Sequence, residues 1–166
     1  MTQESTEIEI RQAVEADRDT LAKLIVRAFA DVTTNRSREE QFGLIGGRTW
    51  DEWEADIMRT IDVDRVIVAE AAGTAVGFAT YELDDATRIG TVSDNAVLPE
   101  FRGRGIGAQL LARVLGLLEE AGMEFAEVST GSDDPYTPAR RMYERQGFRP
   151  YFRSVYYMKK LKQGAV

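Results

Sequence analysis

Residues 97–107 read VLPEFRGRGIG, and this stretch decides the fold because it joins a strand, a turn and a helix. An apolar run closed by Pro99 is typical of the end of a strand, and the Gly/Arg run after it is typical of a tight turn. From Gly105 to Glu120 the apolar residues recur at helical spacing. Such a helix start leaves backbone N–H groups unpaired, and the helix dipole adds positive potential there. The sequence therefore predicts a cradle for a phosphate or pyrophosphate group.

Two common phosphate cradles do not match this stretch. A P-loop needs Gly-Lys-Ser/Thr after four spacer residues, and the chain contains no such run. The dinucleotide fingerprint needs glycines at its first, third and sixth positions. Here Gly103, Gly105 and Gly107 occupy the first, third and fifth positions. The ligand of this turn is therefore held in a different way.

The composition limits the chemistry that the chain can perform. Its 166 residues, 43% hydrophobic and 30% charged, predict one domain over residues 1–166 with its own core. The absence of cysteine and histidine excludes disulfides, cysteine nucleophiles and the Ser-His-Asp triad, and it predicts no metal site. The net charge of −7 disfavours nucleic acid as a partner. Because residues 100–166 carry 11 basic and 8 acidic side chains, an anionic ligand is expected in that half.

The sequence also predicts where the protein resides. Residues 1–9 are polar and acidic, which is not typical of a signal peptide. No apolar run approaches the roughly 20 residues that span a bilayer. A cytoplasmic location without a membrane partner is therefore expected.

The pattern of apolar residues predicts the order β-α-α-β-β-β-α-β-α-β. The sheet is expected to be mixed, mostly antiparallel, with six to seven strands and about four flanking helices, which is an α/β (α+β) fold. The predicted strands are 7–11, 65–72, 75–83, 88–98, 124–130 and 151–161, and the predicted helices are 17–30, 49–61, 105–120 and 138–146. Residues 31–48 are expected to form a loop, and residues 163–166 a tail.

Two motifs together resemble those of the GNAT superfamily of N-acetyltransferases. Arg102-x-x-Gly105-x-Gly107 after Pro99 is similar to the acetyl-coenzyme A motif of that family. Ala139, Tyr143 and Gly147-Phe148 match the spacing of its next helix. The resemblance covers residues 7–161, and it implies a single GNAT-like domain that uses acetyl-coenzyme A as co-substrate.

The resemblance assigns cofactor contacts to the turn and to the strand before it. The backbone of Ala96, Val97 and Leu98 would end a bulged, splayed strand and pair with the pantetheine arm, and one N–H there could polarise the thioester carbonyl. The backbone N–H groups of the turn and first helical residues would hold the pyrophosphate. These residues are Arg102, Gly103, Arg104, Gly105, Ile106, Gly107 and Ala108.

The resemblance also implies catalytic roles. Tyr143 would protonate the leaving thiolate, and Glu127 matches a strand glutamate that acts as general base in some members. Asp94, and Asp133 or Asp134 in the following loop, are further base candidates. Many members have Asn seven residues before the tyrosine, but this chain has Tyr136 there, so one pantetheine contact differs from the family pattern.

The expected reaction is transfer of an acetyl group to a primary amine by direct attack in a ternary complex, since no cysteine can carry an acyl-enzyme. A small-molecule amine is the favoured acceptor, and aromatic residues of 31–61, with Tyr81, are candidates to line its pocket. Glu52 and Glu82 could hold a cationic amine. Two alternatives stay open: a non-catalytic acyl-coenzyme A-binding module, and transfer to a protein N-terminus or lysine. A homodimer is also compatible with the apolar strand 151–158 near a sheet edge.

Overall fold

A computed structural model describes residues 7–31 and 33–161, with the side chains of 33–36 excepted. The residues predicted to form the tail, 163–166, and most of the acidic N-terminus lie outside this range. The strands are β1 (Ile8–Gln12), β2 (Val66–Ala71), β3 (Thr74–Asp84), β4 (Ile89–Val97) and β5 (Phe125–Val128). The helices are α1 (Arg18–Ala28), α2 (Thr33–Phe42), α3 (Trp50–Thr60), α4 (Ile106–Glu120) and α5 (Thr137–Arg145).

The five strands form one sheet in the order β1-β2-β3-β4-β5. The first four strands are antiparallel to their neighbours, and β5 runs parallel to β4 because α4 crosses over between them. Helices α1 and α3 pack on one face of the sheet, and α4 and Tyr143 of α5 pack on the other. The predicted mixed sheet between helices is confirmed. The predicted six to seven strands are not, because the described residues form five.

Local sequence explains the elements that were predicted closely. The β2–β3 turn places Ala72 at φ 50° and Gly73 at φ 73°, the left-handed pair that suits a two-residue hairpin. Thr49 and Glu52 cap the start of α3 reciprocally, each side chain bonding the other residue's backbone N–H. Each of these two signals depends on residues that are at most a few positions apart along the chain.

Residues 33–42 form a helix where the sequence predicted a loop. This segment has no apolar stripe, so periodicity gave no signal for a helix. Its position is instead fixed by contacts with α3: the Glu39 carboxylate accepts a hydrogen bond from the Trp50 backbone N–H, and Arg38 stacks 4.2 Å from the centroid of the Trp50 ring. Contacts with α3 therefore position this helix, which the hydrophobic pattern of the sequence did not predict.

The apolar face of α3 also differs from the predicted one. By helical spacing, Trp50, Trp53, Ile57 and Ile61 share one face of the helix predicted over 49–61. In the structure Met58 is the buried residue and Ile57 is 54% exposed. The helix is rotated so that its Met58 side packs with α1 under the sheet.

The predicted last strand, 151–161, does not form in the structure. Residues 151–161 adopt no regular structure and are exposed. Alternating aromatic and branched residues predict a strand, but a strand also needs a hydrogen-bonded partner. The neighbouring strand β5 has only four residues, and this segment does not pair with it.

Candidate active site

A bulge interrupts the pairing of β3 with β4. Thr80 lies opposite Asp94 and Tyr81 lies opposite Val92, so Ser93 is an extra residue on β4. The family resemblance implied a bulged strand that ends at Ala96–Leu98, and the structure has a bulge in that strand, at Ser93. Bulges re-aim nearby side chains, and this one lies at the centre of the candidate site.

Thr80 holds the bulge in place. Its hydroxyl donates a hydrogen bond of 2.9 Å to Oδ2 of Asp94 and accepts one of 2.9 Å from the Asp94 backbone N–H. Thr80 is only 2% exposed, and no other polar residue in the described range is buried to this degree. The sequence signal for this position is a threonine among the apolar residues of β3.

The hydrogen-bonded pairing of β4 with β5 ends next to the bulge. It runs from Ile89 and Phe125 to Val92 and Val128, and among the described strands no pairing continues beyond it. The Leu98 N–H donates to the Val76 oxygen on β3. Because peptide groups alternate in direction along a strand, the N–H of Val97 points away from β3, to the side on which β5 pairs with the earlier part of β4. The splay of β4 and the cofactor contacts of Ala96, Val97 and Leu98 stay predictions.

The turn after β4 presents unpaired amides. Gly103 and Gly105 have φ values of 76° and 77°, and a Cβ at either would meet nothing within 4 Å. These glycines are needed for their left-handed backbone, since the space beside them is open. Gly105 is the N-cap residue of α4, and as a glycine it offers no side chain to accept from the first N–H groups of the helix. Within the described part of the chain, the N–H groups of residues 103–108 have no hydrogen-bond acceptor.

Gly107 has a different physical reason. A Cβ there would lie 3.3 Å from the Met142 sulfur and 3.5 Å from Oδ1 of Asn95. The Asn95 side chain also donates a 2.9 Å hydrogen bond to the Gly107 oxygen. The absence of a side chain therefore lets the start of α4 pack closely against β4 and α5.

The two arginines of the turn are engaged within the chain. Arg102 donates to the Ala28 oxygen at 2.6 Å and to the Val97 oxygen at 3.2 Å, and its backbone N–H donates to Pro99. Arg104 donates to the Glu100 oxygen at 3.2 Å and stacks on Phe101. Arg102 thus ties the turn to α1, and the anion-binding capacity of the cradle rests on backbone amides 103–108.

Tyr143 lies on α5 and packs on the same face of the sheet as α4. It is 9% exposed, and Phe148 packs edge-on against it with ring centroids 5.9 Å apart. Burial, and then the charge of Asp94, raise the pKa of the Tyr143 hydroxyl to about 12. The hydroxyl forms no hydrogen bond with any residue in the described range. It therefore stays protonated at neutral pH and is available to an incoming group.

Carboxylates gather on the α3 side of the bulge. Burial raises the pKa of Asp94. The hydrogen bond from Thr80 lowers this pKa, and the charge of Glu82 raises it further. Burial and the Asp94 charge raise the pKa of Glu54 on α3. The charge of Asp94 therefore acts on both the Glu54 carboxyl and the Tyr143 hydroxyl, although Tyr143 packs on the α4 face of the sheet. Asp94 was a minor candidate in the sequence and Glu54 was not one, because only the fold brings α3 over the bulge.

The aromatic residues of the region divide between site and core. Trp50 is partly buried beside Glu54, and its buried indole Nε1 meets no acceptor at hydrogen-bonding geometry within residues 7–31 and 33–161. The indole is still close enough to Glu54 to lower the pKa of that carboxyl, against the larger effect of burial. Trp53 donates to the Ile45 oxygen at 2.9 Å. Tyr81 is a core residue, 5% exposed, whose hydroxyl donates to the Asp64 oxygen. Glu52 is occupied by the cap of α3.

The other base candidates lie on β5 and in the loop after it, and Glu127 pairs with Thr91, two residues before the bulged Ser93. Glu127 is on β5, at the sheet edge, and accepts a hydrogen bond from the exposed Tyr151 hydroxyl. Asp133 and Asp134 are exposed in the loop before α5. Arg140 fixes that loop through hydrogen bonds of 2.7 Å to the Gly131 oxygen and 2.8 Å to the Asp133 oxygen.

A strand followed by a turn of unpaired amides at a helix start is typical of α/β proteins whose anionic ligands bind at the strand ends. Residues 29–148 match the model of the acetyltransferase (GNAT) family, and the chain belongs to that family. It is 31% identical over 150 residues to an uncharacterized N-acetyltransferase of Archaeoglobus fulgidus, covering 86% of this chain and 93% of the relative.

Solved structures share the fold. The PaiA N-acetyltransferase of Thermoplasma acidophilum, in complex with coenzyme A, superposes with a TM-score of 0.69 at 17% identity, covering 86% of this chain and 90% of that one. The aminoglycoside acetyltransferase AAC(6')-Iy, in complex with a bisubstrate analogue, CoA-S-monomethyl-acetylneamine, gives 0.65 at 20% identity, covering 93% and 99%.

The described residues contain neither a membrane-spanning helix nor a cluster of metal-binding side chains. No helix among them is long and apolar enough to cross a membrane. Residues 7–31 and 33–161 also hold no cluster of three or more acidic side chains suited to a metal ion. The cytoplasmic location and the absence of a metal stay predictions.

Proposed function

We propose that the protein transfers an acetyl group from acetyl-coenzyme A to a primary amine by direct attack in a ternary complex. The observation that carries this proposal is the row of unpaired amides 103–108 at the start of α4. Beside it, the protonated Tyr143 hydroxyl is close enough to the Asp94 carboxylate for that charge to raise its pKa. One group can donate a proton and the other can accept one, as amine acylation requires.

The cradle fits the diphosphate of coenzyme A. Amides 103–108 supply donors at a helix N-terminus, and open space beside Gly103 and Gly105 leaves room for the phosphate oxygens. The free edge of β4 beyond Val92 can pair with an amide-bearing pantetheine arm as an added strand would. The Val97 N–H is the donor for the thioester oxygen, where negative charge develops during attack.

Asp94 is our choice for the general base over Glu127. Asp94 is partly buried, its charge acts on the Tyr143 hydroxyl, and its raised pKa makes it a stronger base than an exposed carboxylate. Glu127 is bound to Tyr151 at the sheet edge. Asp94 accepts a proton from the amine, directly or through a water, while the amine nitrogen bonds to the carbonyl carbon. The carbon–sulfur bond then breaks, and Tyr143 gives its proton to the departing sulfur.

A small-molecule amine is the proposed acceptor. Glu54 and Trp50 form the wall of the site on α3, and a carboxylate next to an aromatic ring suits an alkylammonium group. The acetylneamine moiety of the analogue bound to AAC(6')-Iy supports an acceptor of this size.

The test is a screen of primary amines with acetyl-coenzyme A, followed by thiol release with a disulfide reagent. Because the chain has no cysteine, every thiol detected comes from the co-substrate. Transfer to at least one amine, lost in Asp94→Asn, supports the proposal. Binding of acetyl-coenzyme A without transfer to any small amine, peptide N-terminus or lysine contradicts it and favours a non-catalytic binding module.

A further inference from the structure

Arg38 on α2 lies over the Trp50 ring without an oxygen atom to bond. Its guanidinium carbon is 4.2 Å from the centroid of that ring. Arg38 is partly buried, yet among the described residues its N–H groups meet no hydrogen-bond acceptor and no carboxylate. Charged groups that leave water are normally paired. The guanidinium therefore offers donors to a group that the described chain does not supply.

The sequence of α2 gives Arg38 no ionic partner. On a helix, the residues three and four positions away are the neighbours of a side chain. The residues at these positions around Arg38 are uncharged: Thr34, Asn35, Gln41 and Phe42. The adjacent Glu39 carboxylate accepts a hydrogen bond from the backbone N–H of Trp50. Arg38 is therefore held on Trp50 without an ion pair among the described side chains.

Arg48 forms the same kind of stack, and there the chain completes it. Arg48 lies 4.6 Å from the centroid of the Trp53 ring on α3. It also donates at 2.5 Å to Oδ2 of Asp56 and at 3.1 Å to the Glu52 oxygen. A planar guanidinium stacks by its face, and its N–H donors point outward in its plane. Arg48 uses both its face and its donors within the chain, whereas Arg38 uses only its face among the described residues.

Acidic groups lie toward the bulge on the same side of the site. Glu54 is one turn after Trp50 on α3 and is partly buried. Burial and the charge of Asp94 raise the pKa of Glu54, while the Trp50 indole and the charge of Arg38 lower it. These groups are therefore close enough to act on one another electrostatically. The site presents one unneutralised cation at Trp50 and two carboxyls between Trp50 and the bulge.

We infer that the acceptor is an amino acid, an amine that carries a carboxylate, and that Arg38 is the residue that selects it. This inference rests on the proposed function, because it concerns the acceptor of that reaction. The Arg38 guanidinium binds the carboxylate through paired N–H···O bonds, which its planar fork favours. The ammonium end lies against Glu54 and Asp94, where it loses the proton that acylation requires. Charges of both signs thus orient a zwitterionic acceptor.

Pairs of acceptors that differ only in the carboxylate test the inference. Glycine, β-alanine and γ-aminobutyrate place the carboxylate at increasing distance from the amine, and each is compared with its primary carboxamide. We expect kcat/KM for the best acid to exceed that for its amide by at least about tenfold, as for one charge-assisted pair of hydrogen bonds. Equal use of acid and amide by the parent chain overturns the inference, and the transfer itself leaves the proposed function standing.

Arg38→Gln separates recognition from packing. The ratio of kcat/KM between acid and amide should fall to near unity, through a rise in KM for the acid rather than a fall in kcat. Arg38→Lys keeps the charge without the planar fork and should retain part of the ratio. Arg48→Gln is the matched control, because it removes a guanidinium stacked on Trp53, and it should leave the ratio unchanged. An unchanged ratio in Arg38→Gln, or an equal fall in Arg48→Gln, overturns the inference.

Binding without turnover keeps a failure of the inference apart from a failure of the proposed function. The same acids are titrated calorimetrically into the chain with coenzyme A present, which has no acetyl group to transfer. Binding of an acid that becomes at least about tenfold weaker in Arg38→Gln supports the inference even when no amine is acetylated. If the parent chain binds none of the acids, the inference is overturned, whichever amine the screen identifies.

Discussion

The Thr80 hydroxyl both donates to the Asp94 carboxylate and accepts from the Asp94 backbone N–H, at 2.9 Å in each case. This pair of hydrogen bonds lies at the β4 bulge and fixes the carboxylate on Thr80, from where its charge raises the pKa of Tyr143. The consequence is a partly buried acid whose pKa is raised by desolvation. Such a group costs folding stability when ionised and can serve as a base.

Asp94→Asn should lower kcat/KM for amine acetylation by about 100-fold or more, because a positioned general base contributes on that scale. The asparagine oxygen can still accept from Thr80, so the bulge should persist. Steady-state kinetics with the best amine measure the change. Glu127→Gln is the matched control and should lose less than about threefold. The opposite ranking of the two variants would make Glu127 the base.

Asp94→Asn should also stabilise the fold at neutral pH. A carboxyl with a raised folded pKa stabilises the fold below its unfolded pKa, about 3.9, and that contribution is lost as pH rises through the folded pKa. The variant should therefore have a higher Tm than the parent at pH 7, with the difference shrinking as pH falls toward 4. Thermal unfolding at both pH values measures it. Asp85→Asn, an exposed change, should show no such pattern, and an unchanged Tm for Asp94→Asn would contradict the desolvation cost.

Tyr143→Phe should lower kcat by about tenfold to a thousandfold through loss of the general acid. The hydroxyl bonds no described residue and the ring packing on Phe148 remains, so Tm and the Kd for acetyl-coenzyme A should barely change. Kinetics, calorimetry and thermal unfolding together measure the three quantities. If kcat is unchanged, Tyr143 has only a packing role.

Gly105→Asp should bind acetyl-coenzyme A at least about tenfold more weakly than Gly105→Asn, a difference of about 1.4 kcal/mol. Both side chains tolerate the left-handed backbone that Gly105 adopts at φ 77°. They differ mainly in a negative charge placed at the amide cradle. Calorimetric titration measures both affinities, and equal Kd values would mean that the phosphates bind elsewhere.

Gly116→Ala should stabilise the protein by about 0.5–1 kcal/mol, since glycine inside a helix costs backbone entropy. A Cβ there would meet nothing within 4 Å. Gly90→Ala should have the opposite sign, because its Cβ would lie 2.5 Å from the Leu118 side chain. Denaturant unfolding measures both, and destabilisation by Gly116→Ala would contradict the open space beside it.

Local signals predicted much of the fold. The hairpin at Gly73, the capped start of α3 at Thr49 and the turn at Gly103–Gly105 each depend on a few neighbouring residues. The structure contains all three. Helix α2 was missed because it has no apolar stripe and is positioned by α3. The strand predicted at 151–161 was wrong because alternation describes the segment but supplies no partner.

The candidate site was only partly accessible to sequence reasoning. The cradle and Tyr143 lie in recognisable motifs. The structure places them at the start of α4 and on α5, which pack together at Gly107 and Met142. Glu54 carries no motif, and its relation to Asp94 exists only because α3 packs across the sheet.

The sequence by itself determined the family motifs, the amide cradle and the exclusion of cysteine and histidine chemistry, because each of these depends on residue identity or on neighbours along the chain. Only the tertiary structure decided where β4 bulges and which carboxylate raises the pKa of Tyr143 through its charge. Thr80 and Asp94 are 14 residues apart, and Glu54 lies on a separate helix. Strand register and helix packing bring such groups together, and both follow from burial summed over the whole core.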